Sequence, residues 1–152
     1  MDSQLVELIG RNRLTADLLA VGLEVAIPER DRGIDLIAYV DLKASNRSFV
    51  ARPIQLKAAT SAYFQIDQKY ERFSNLLIAY AWYVCDPERA VTFAMTHSQA
   101  VAIGEQMGYT RTASWSNGKY ATTRPSRKLR SLMEPHRIIP GRWFDLVIGT
   151  SA

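Results

Sequence analysis

The chain has 152 residues, 47% of them apolar and 22% charged, with a net charge of +4 and one cysteine. That length suits a single domain over 1–152, able to bury about two thirds of its unfolded surface without staples. The lone Cys85 excludes a disulfide framework and a cysteine metal site, and points to a reducing, cytoplasmic setting. The longest apolar run, Leu76 to Cys85, is about half of what a membrane-spanning helix needs, and the acidic start at Asp2 and Glu7 is unlike a secretion signal.

Charge is distributed unevenly. Between Arg111 and Arg142 stand eight basic residues against one acid, a local +7 that leaves −3 for the rest. Such a segment reads either as a solvated face or as a polyanion-facing surface, with phosphate backbones the natural partner.

In chain order, the spacing predicts a helix over Ser3 to Val21, ending at Gly22, with Leu5, Leu8, Ile9, Ala16 and Leu19 as its main apolar stripe. Glu7 falls on the other side with Leu14 and Leu18. It is placed either to point inward or to pair with Arg11 one turn on. Leu23 to Pro28 reads as a strand, followed by a charged turn in which Gly33 can take a positive φ. Gly33 to Val40 is a second strand, Lys43 to Ser48 a polar loop, and Phe49 to Ala58 a third strand, interrupted where Pro53 lacks a donor.

Leu76 to Val84 is continuously apolar, as a strand covered on both faces would be. Ala90 to Ala94 follows as another. Thr96-x-x-Gln99 is a capping box for a helix through Met107 that buries Ala100, Ile103 and Met107 and stops at Gly108. Tyr109 to Trp115, Asn117-Gly118 and Lys119 to Thr122 together read as a hairpin. Ser126 can cap a short basic helix closing at Pro135. The tail Trp143 to Ile148 needs burial, on the sheet or against a second copy in a homodimer. Tyr63, Phe64, Tyr70, Phe73, Tyr80, Trp82 and Tyr83 are read chiefly as core, with Tyr63 and Phe64 also placed to stack on unpaired bases. His97 and His136 flank helix ends and read as capping or surface residues.

Chemistry concentrates on two strands. In Ile54-Gln55-Leu56-Lys57, alternation sends Ile54 and Leu56 to one face and Gln55 and Lys57 to the other. If this strand pairs with Gly33-Ile34-Asp35-Leu36-Ile37, Asp35 joins them. An acid, an amide oxygen and a lysine on one surface can hold a hard divalent cation and set a positive charge beside a phosphate. No nucleophile elbow, phosphate-cradling glycine loop or zinc pattern competes with this reading.

Gly-Ile-Asp-Leu followed by Gln-x-Lys resembles the PD-(D/E)XK nuclease superfamily, in the amide-bearing form seen in type IV restriction endonucleases and relatives of Holliday-junction resolvases. The likeness runs from about Glu7 to Ala59; Ile34 replaces the customary Pro, and Gln55 the second carboxylate. It implies an α/β, restriction-endonuclease-like fold, a mixed central β-sheet flanked by α-helices. It also implies a metal-dependent DNA endonuclease using Mg²⁺ or Mn²⁺. Asp35 would ligate the ion, Gln55 would ligate weakly or orient the attacking water, Glu7 from the first helix would be a further ligand, and Lys57 would lower the water's pKa or neutralise developing charge. Arg111, Lys119, Arg124, Arg127, Lys128 and Arg130 would grip DNA phosphates. A non-catalytic nucleic-acid-binding module and a protein-interaction module on the same fold are the alternatives.

Overall fold

A computed structural model describes residues 1–41 and 49–149. The elements are α1 (Ser3–Ala20), β1 (Glu24–Ala26), β2 (Leu36–Val40), β3 (Val50–Ala58), β4 (Phe64–Asp67), β5 (Leu77–Trp82), β6 (Val91–Thr96), α2 (His97–Gln106), α3 (Ala113–Ser116), β7 (Lys119–Thr122), α4 (Arg127–Met133) and α5 (Arg142–Ile148). The polar stretch Lys43 to Ser48 lies outside the described residues. A five-stranded sheet in the order β1-β2-β3-β5-β6 forms the centre. Its first three strands form an antiparallel meander, β3 and β5 run parallel, and β6 returns antiparallel. This is a mixed α/β sheet. The parallel pairing starts at Ile54, the residue after Pro53, while Pro53 itself stays in register opposite Ile37. Pro53 is therefore unpaired on its β5 side, as expected, and no bulge forms toward β2.

Two cores flank the sheet. On one face Leu36, Ile54, Leu56, Leu77 and Ala79 pack with Leu14 and Leu18 of α1 and with Trp143 and Val147 of α5. On the other, Ile78, Tyr80, Phe93 and Met95 pack with Phe64 and Ile66 of β4, Ile103 of α2, and Leu129 and Met133 of α4. The apolar tail thus covers its own sheet. Thr96 and Gln99 form the expected capping box of α2, and the Ser126 side chain caps α4. Ala100 and Ile103 are buried as expected, with Met107 packed at the margin.

Four expectations are corrected. The buried stripe of α1 is Val6, Gly10, Leu14 and Leu18, whereas Leu5, Leu8 and Leu19 are 44%, 48% and 50% exposed. The reason is Gly10: a Cβ there would stand 2.6 Å from the Ala58 Cβ, so the helix touches β3 closely along that line. The supposed hairpin is not one. Residues Tyr109–Arg111 form a 3₁₀ turn, Thr112 caps α3 through Trp115 N, and Asn117 and Gly118 end that helix, with Gly118 at φ 121°. Asparagine-glycine serves a helix end as well as a hairpin, because both use left-handed backbone. Finally, β7 pairs with β4 rather than with its chain neighbour. Phe64 is wholly buried and stacks on Tyr80 at 5.2 Å, so it is core and unable to stack on bases.

Gly10→Ala is expected to destabilise the protein. Its methyl meets a methyl anchored in the backbone of β3, so α1 must shift. Overpacking costs about 1–3 kcal/mol, against about 1 kcal/mol gained in helix propensity. Thermal unfolding reads the difference, and a Tm equal to or above wild type would show that α1 is not held by that contact.

Candidate active site

The alternation of β3 divides its side chains as expected. Ile54 and Leu56 enter the core under α1, while Lys57 projects to the opposite face, where its Nζ donates to the Tyr70 hydroxyl at 2.9 Å. Gln55 lies beside Lys57 in the parallel register with β5, opposite Ile78, and is 8% exposed. Its Nε2 makes only a long bond of 3.4 Å to Leu56 O, and its buried Oε1 has no partner among the described residues. A buried acceptor left empty is costly and uncommon.

Asp35 directly precedes β2 and is tied to β3 at two points. Its N–H donates to Ile54 O at 2.9 Å, and its Oδ2 accepts from Leu56 N at 2.7 Å. The carboxylate is thereby anchored across the stretch that contains Gln55. Burial raises its pKa above the usual carboxylate range. The Leu56 hydrogen bond opposes this, the charges of Asp31 and Glu7 add to it, and Lys57 opposes it. Burial likewise lowers the Lys57 pKa, reinforced by Lys69 and opposed by Asp35 and Asp67.

Glu7 is exposed and forms an i,i+4 ion pair with Arg11 at 2.9 Å, the second of its two expected placements. Its charge still reaches Asp35. Among the described residues, no three His, Cys, Asp or Glu side chains converge as a metal-ligand group. The oxygen donors at hand are one carboxylate and one unpartnered amide. That set fits Mg²⁺, which usually takes one or two protein carboxylates and fills its remaining positions with water and substrate phosphate.

The structure adds two residues to those read from the sequence. Tyr70, on the 3₁₀ turn Gln68–Arg72, accepts from Lys57, and burial pushes its phenol well above 10, so the hydroxyl stays protonated. Asp67, 8% exposed, caps that turn through Lys69 N at 3.0 Å and lies 3.8 Å from the Lys69 ammonium. The signal for Asp67 was present in Phe64-Gln65-Ile66-Asp67, whose alternation marks a strand ending in an Asx cap, whereas nothing local marks Tyr70.

The six basic residues from Arg111 to Arg130 are all exposed, and they divide into two groups. Lys128 Nζ donates to Gln106 O, and Arg130 Nε donates to Pro125 O, so both help to seat α4. Arg111, Lys119, Arg124 and Arg127 form no ion pair among the described residues. Lys119 stands opposite Asp67 in the β4–β7 ladder, and its charge reaches Lys57. His97 opens α2 as a half-buried residue whose pKa burial lowers, and His136 ends a 3₁₀ turn; neither joins the site.

No helix among the described residues is long and apolar enough to cross a membrane. Comparison of the chain with protein-family models, curated proteins and solved structures finds no match.

Proposed function

We propose that this chain is a metal-dependent DNA endonuclease of the PD-(D/E)XK type, with a restriction-endonuclease-like fold and a cytoplasmic setting. The observation that carries the reading is the empty Gln55 Oε1 beside a carboxylate anchored by Leu56 N, with Lys57 following on the same strand. The antiparallel meander after an N-terminal helix, continued by a parallel strand, supports it. Bound Mg²⁺ or Mn²⁺ would supply Lewis-acid polarisation of the phosphoryl oxygens. Asp35 and the Gln55 amide oxygen would hold the ion. Lys57, its ammonium steadied by the Tyr70 hydroxyl, would set positive charge where the pentavalent phosphorus gathers negative charge. The direct test is cleavage of plasmid DNA with Mg²⁺ or Mn²⁺, run beside Mn²⁺ titration calorimetry. Neither cleavage nor Mn²⁺ binding would end the proposal.

A second reading is favoured by Glu7, which is held by Arg11, and by the amide where a second acid would add charge. On that reading the fold binds nucleic acid without cutting it. Mn²⁺ titration separates the two, since only the first requires the ion at Asp35.

Both readings place DNA phosphates on exposed cations. With Arg111, Lys119, Arg124 and Arg127 each touching one phosphate, log affinity should fall with log salt at a slope of about −3.6. Changing Lys119, Arg124 and Arg127 to Gln should flatten the slope to about −0.9 and weaken all sequences alike. Fluorescence anisotropy at several salt concentrations measures this. A triple variant with the wild-type slope would put the DNA elsewhere.

A further inference from the structure

Tyr83 is the one non-glycine residue among those described with positive φ, at 54°. Nothing about a tyrosine favours that conformation, so the surroundings must impose it. Strand alternation would send Tyr83 to the face opposite Trp82. Instead Trp82 is buried in the core under α2 and α4, Tyr83 packs partly buried against that same core, and Val84 returns to the core under α1. The turn is locked on either side: Val84 N donates to Ala59 O, and Asp86 N donates to Tyr83 O. The strained residue therefore brings its ring to a groove at the end of β5.

That groove is lined by Trp82, Tyr83, Arg89, Phe93, Arg130 and Arg137, with Glu88 and Glu134 as its carboxylates. The Arg89 guanidinium lies 4.0 Å from the centre of the Tyr83 ring, and Arg130 lies 5.3 Å from the centre of Trp82. Arg137 is already committed, bonding Glu134 through Nε at 2.8 Å and through Nη2 at 3.2 Å. Arg89 and Arg130 form no ion pair among the described residues, and Arg130 uses only Nε, toward Pro125 O. Guanidiniums held over aromatic rings keep a planar fork of donors that matches phosphate oxygens. Both also bear on the Tyr83 hydroxyl, whose pKa is lowered, chiefly by the nearby Arg130 guanidinium and further by Arg89, against the opposing effect of burial.

We propose that Tyr83, Arg89 and Arg130 form a phosphate-binding pocket separate from Asp35, Gln55 and Lys57. Two guanidiniums and a phenol offer more donors than a carboxylate can accept, which favours phosphate. Trp82 and Phe93 are buried and the Tyr83 ring is covered by Arg89, so no open ring remains for a base. Phosphate itself is the recognised group, and it could come from a free phosphate or nucleotide, or from a nucleic-acid backbone.

The pocket involves no metal, so the test is run in EDTA, where cleavage cannot contribute and failure leaves the Asp35 site untouched. Inorganic phosphate, AMP and adenosine are titrated by calorimetry, and a short labelled duplex by anisotropy, on wild type, Arg89→Gln, Tyr83→Phe and Tyr83→Gly. Phosphate and AMP should bind alike and adenosine should not. Arg89→Gln should weaken binding roughly tenfold. Tyr83→Gly relieves the backbone strain without changing charge but loses the packing of a partly buried ring, so Tm should stay close to wild type while phosphate affinity falls. If phosphate and AMP fail to bind but both tyrosine variants weaken the duplex, the pocket serves a backbone phosphate. Wild-type affinity of Tyr83→Gly and Arg89→Gln for every probe, or no binding of any probe, overturns the proposal.

Discussion

Asp35→Asn is expected to lower metal-dependent cleavage by at least about 100-fold while leaving the protein as stable as wild type or more so. The loss follows from removing the one carboxylate anchored beside Gln55. The stability follows from the sign of the pKa shift. Burial holds the folded-state pKa of Asp35 above 3.8, so the charged form is disfavoured on folding. Its contribution is most favourable below pH 3.8 and is lost as pH rises through the folded pKa, leaving a penalty at neutral pH. Asparagine carries no charge, and its side-chain oxygen can still accept from Leu56 N. Single-turnover cleavage and thermal unfolding at neutral pH read the two halves separately. Wild-type cleavage would remove Asp35 from the site, whereas a Tm several degrees lower would make it a structural cap.

Lys57→Met should reduce cleavage by a similar factor with a different stability signature. Methionine retains the apolar stem but loses the bond to Tyr70, which costs about 0.5–1.5 kcal/mol. Against that loss, the folded-state pKa of Lys57 lies below 10.5, so the ammonium is disfavoured on folding at neutral pH. The wild type regains that stability as pH rises through the folded pKa toward 10.5, whereas the methionine variant has nothing to regain. The two should be close in stability at pH 7, with the wild type gaining relative to the variant in alkali. Denaturant unfolding across that range checks the sign. A gap that stays constant with pH would mean that folding leaves the Lys57 pKa unshifted.

The elements nearest the site were legible because each carries a local signal. Alternation alone separates Ile54 and Leu56 from Gln55 and Lys57, and that separation holds. The capping box at Thr96 and the cap at Ser126 were legible for the same reason, since a cap is a matter of three or four consecutive residues. The buried face of α1 was not. Leu5, Leu8 and Leu19 are more apolar than Gly10, yet Gly10 faces β3, because close approach to Ala58 rewards the absence of a side chain. A count of apolar residues has no term for that.

Sequence by itself determined the strand carrying Gln55 and Lys57, the helix caps and the uneven charge, all of which follow from residues close in the chain; it set Asp35 within the second strand, whereas Asp35 stands just before β2. Tertiary structure decided the rest. Tyr70 meets Lys57 across thirteen residues, β4 finds β7 across more than fifty, and Arg130 of α4 reaches Trp82 at the end of β5. It also turned Tyr83 against its preference and left the Gln55 oxygen without a partner. The physical reason is the same in each case: local conformation depends on neighbours in the chain, whereas burial, desolvation and side-chain partners depend on which distant segments the packed cores bring together.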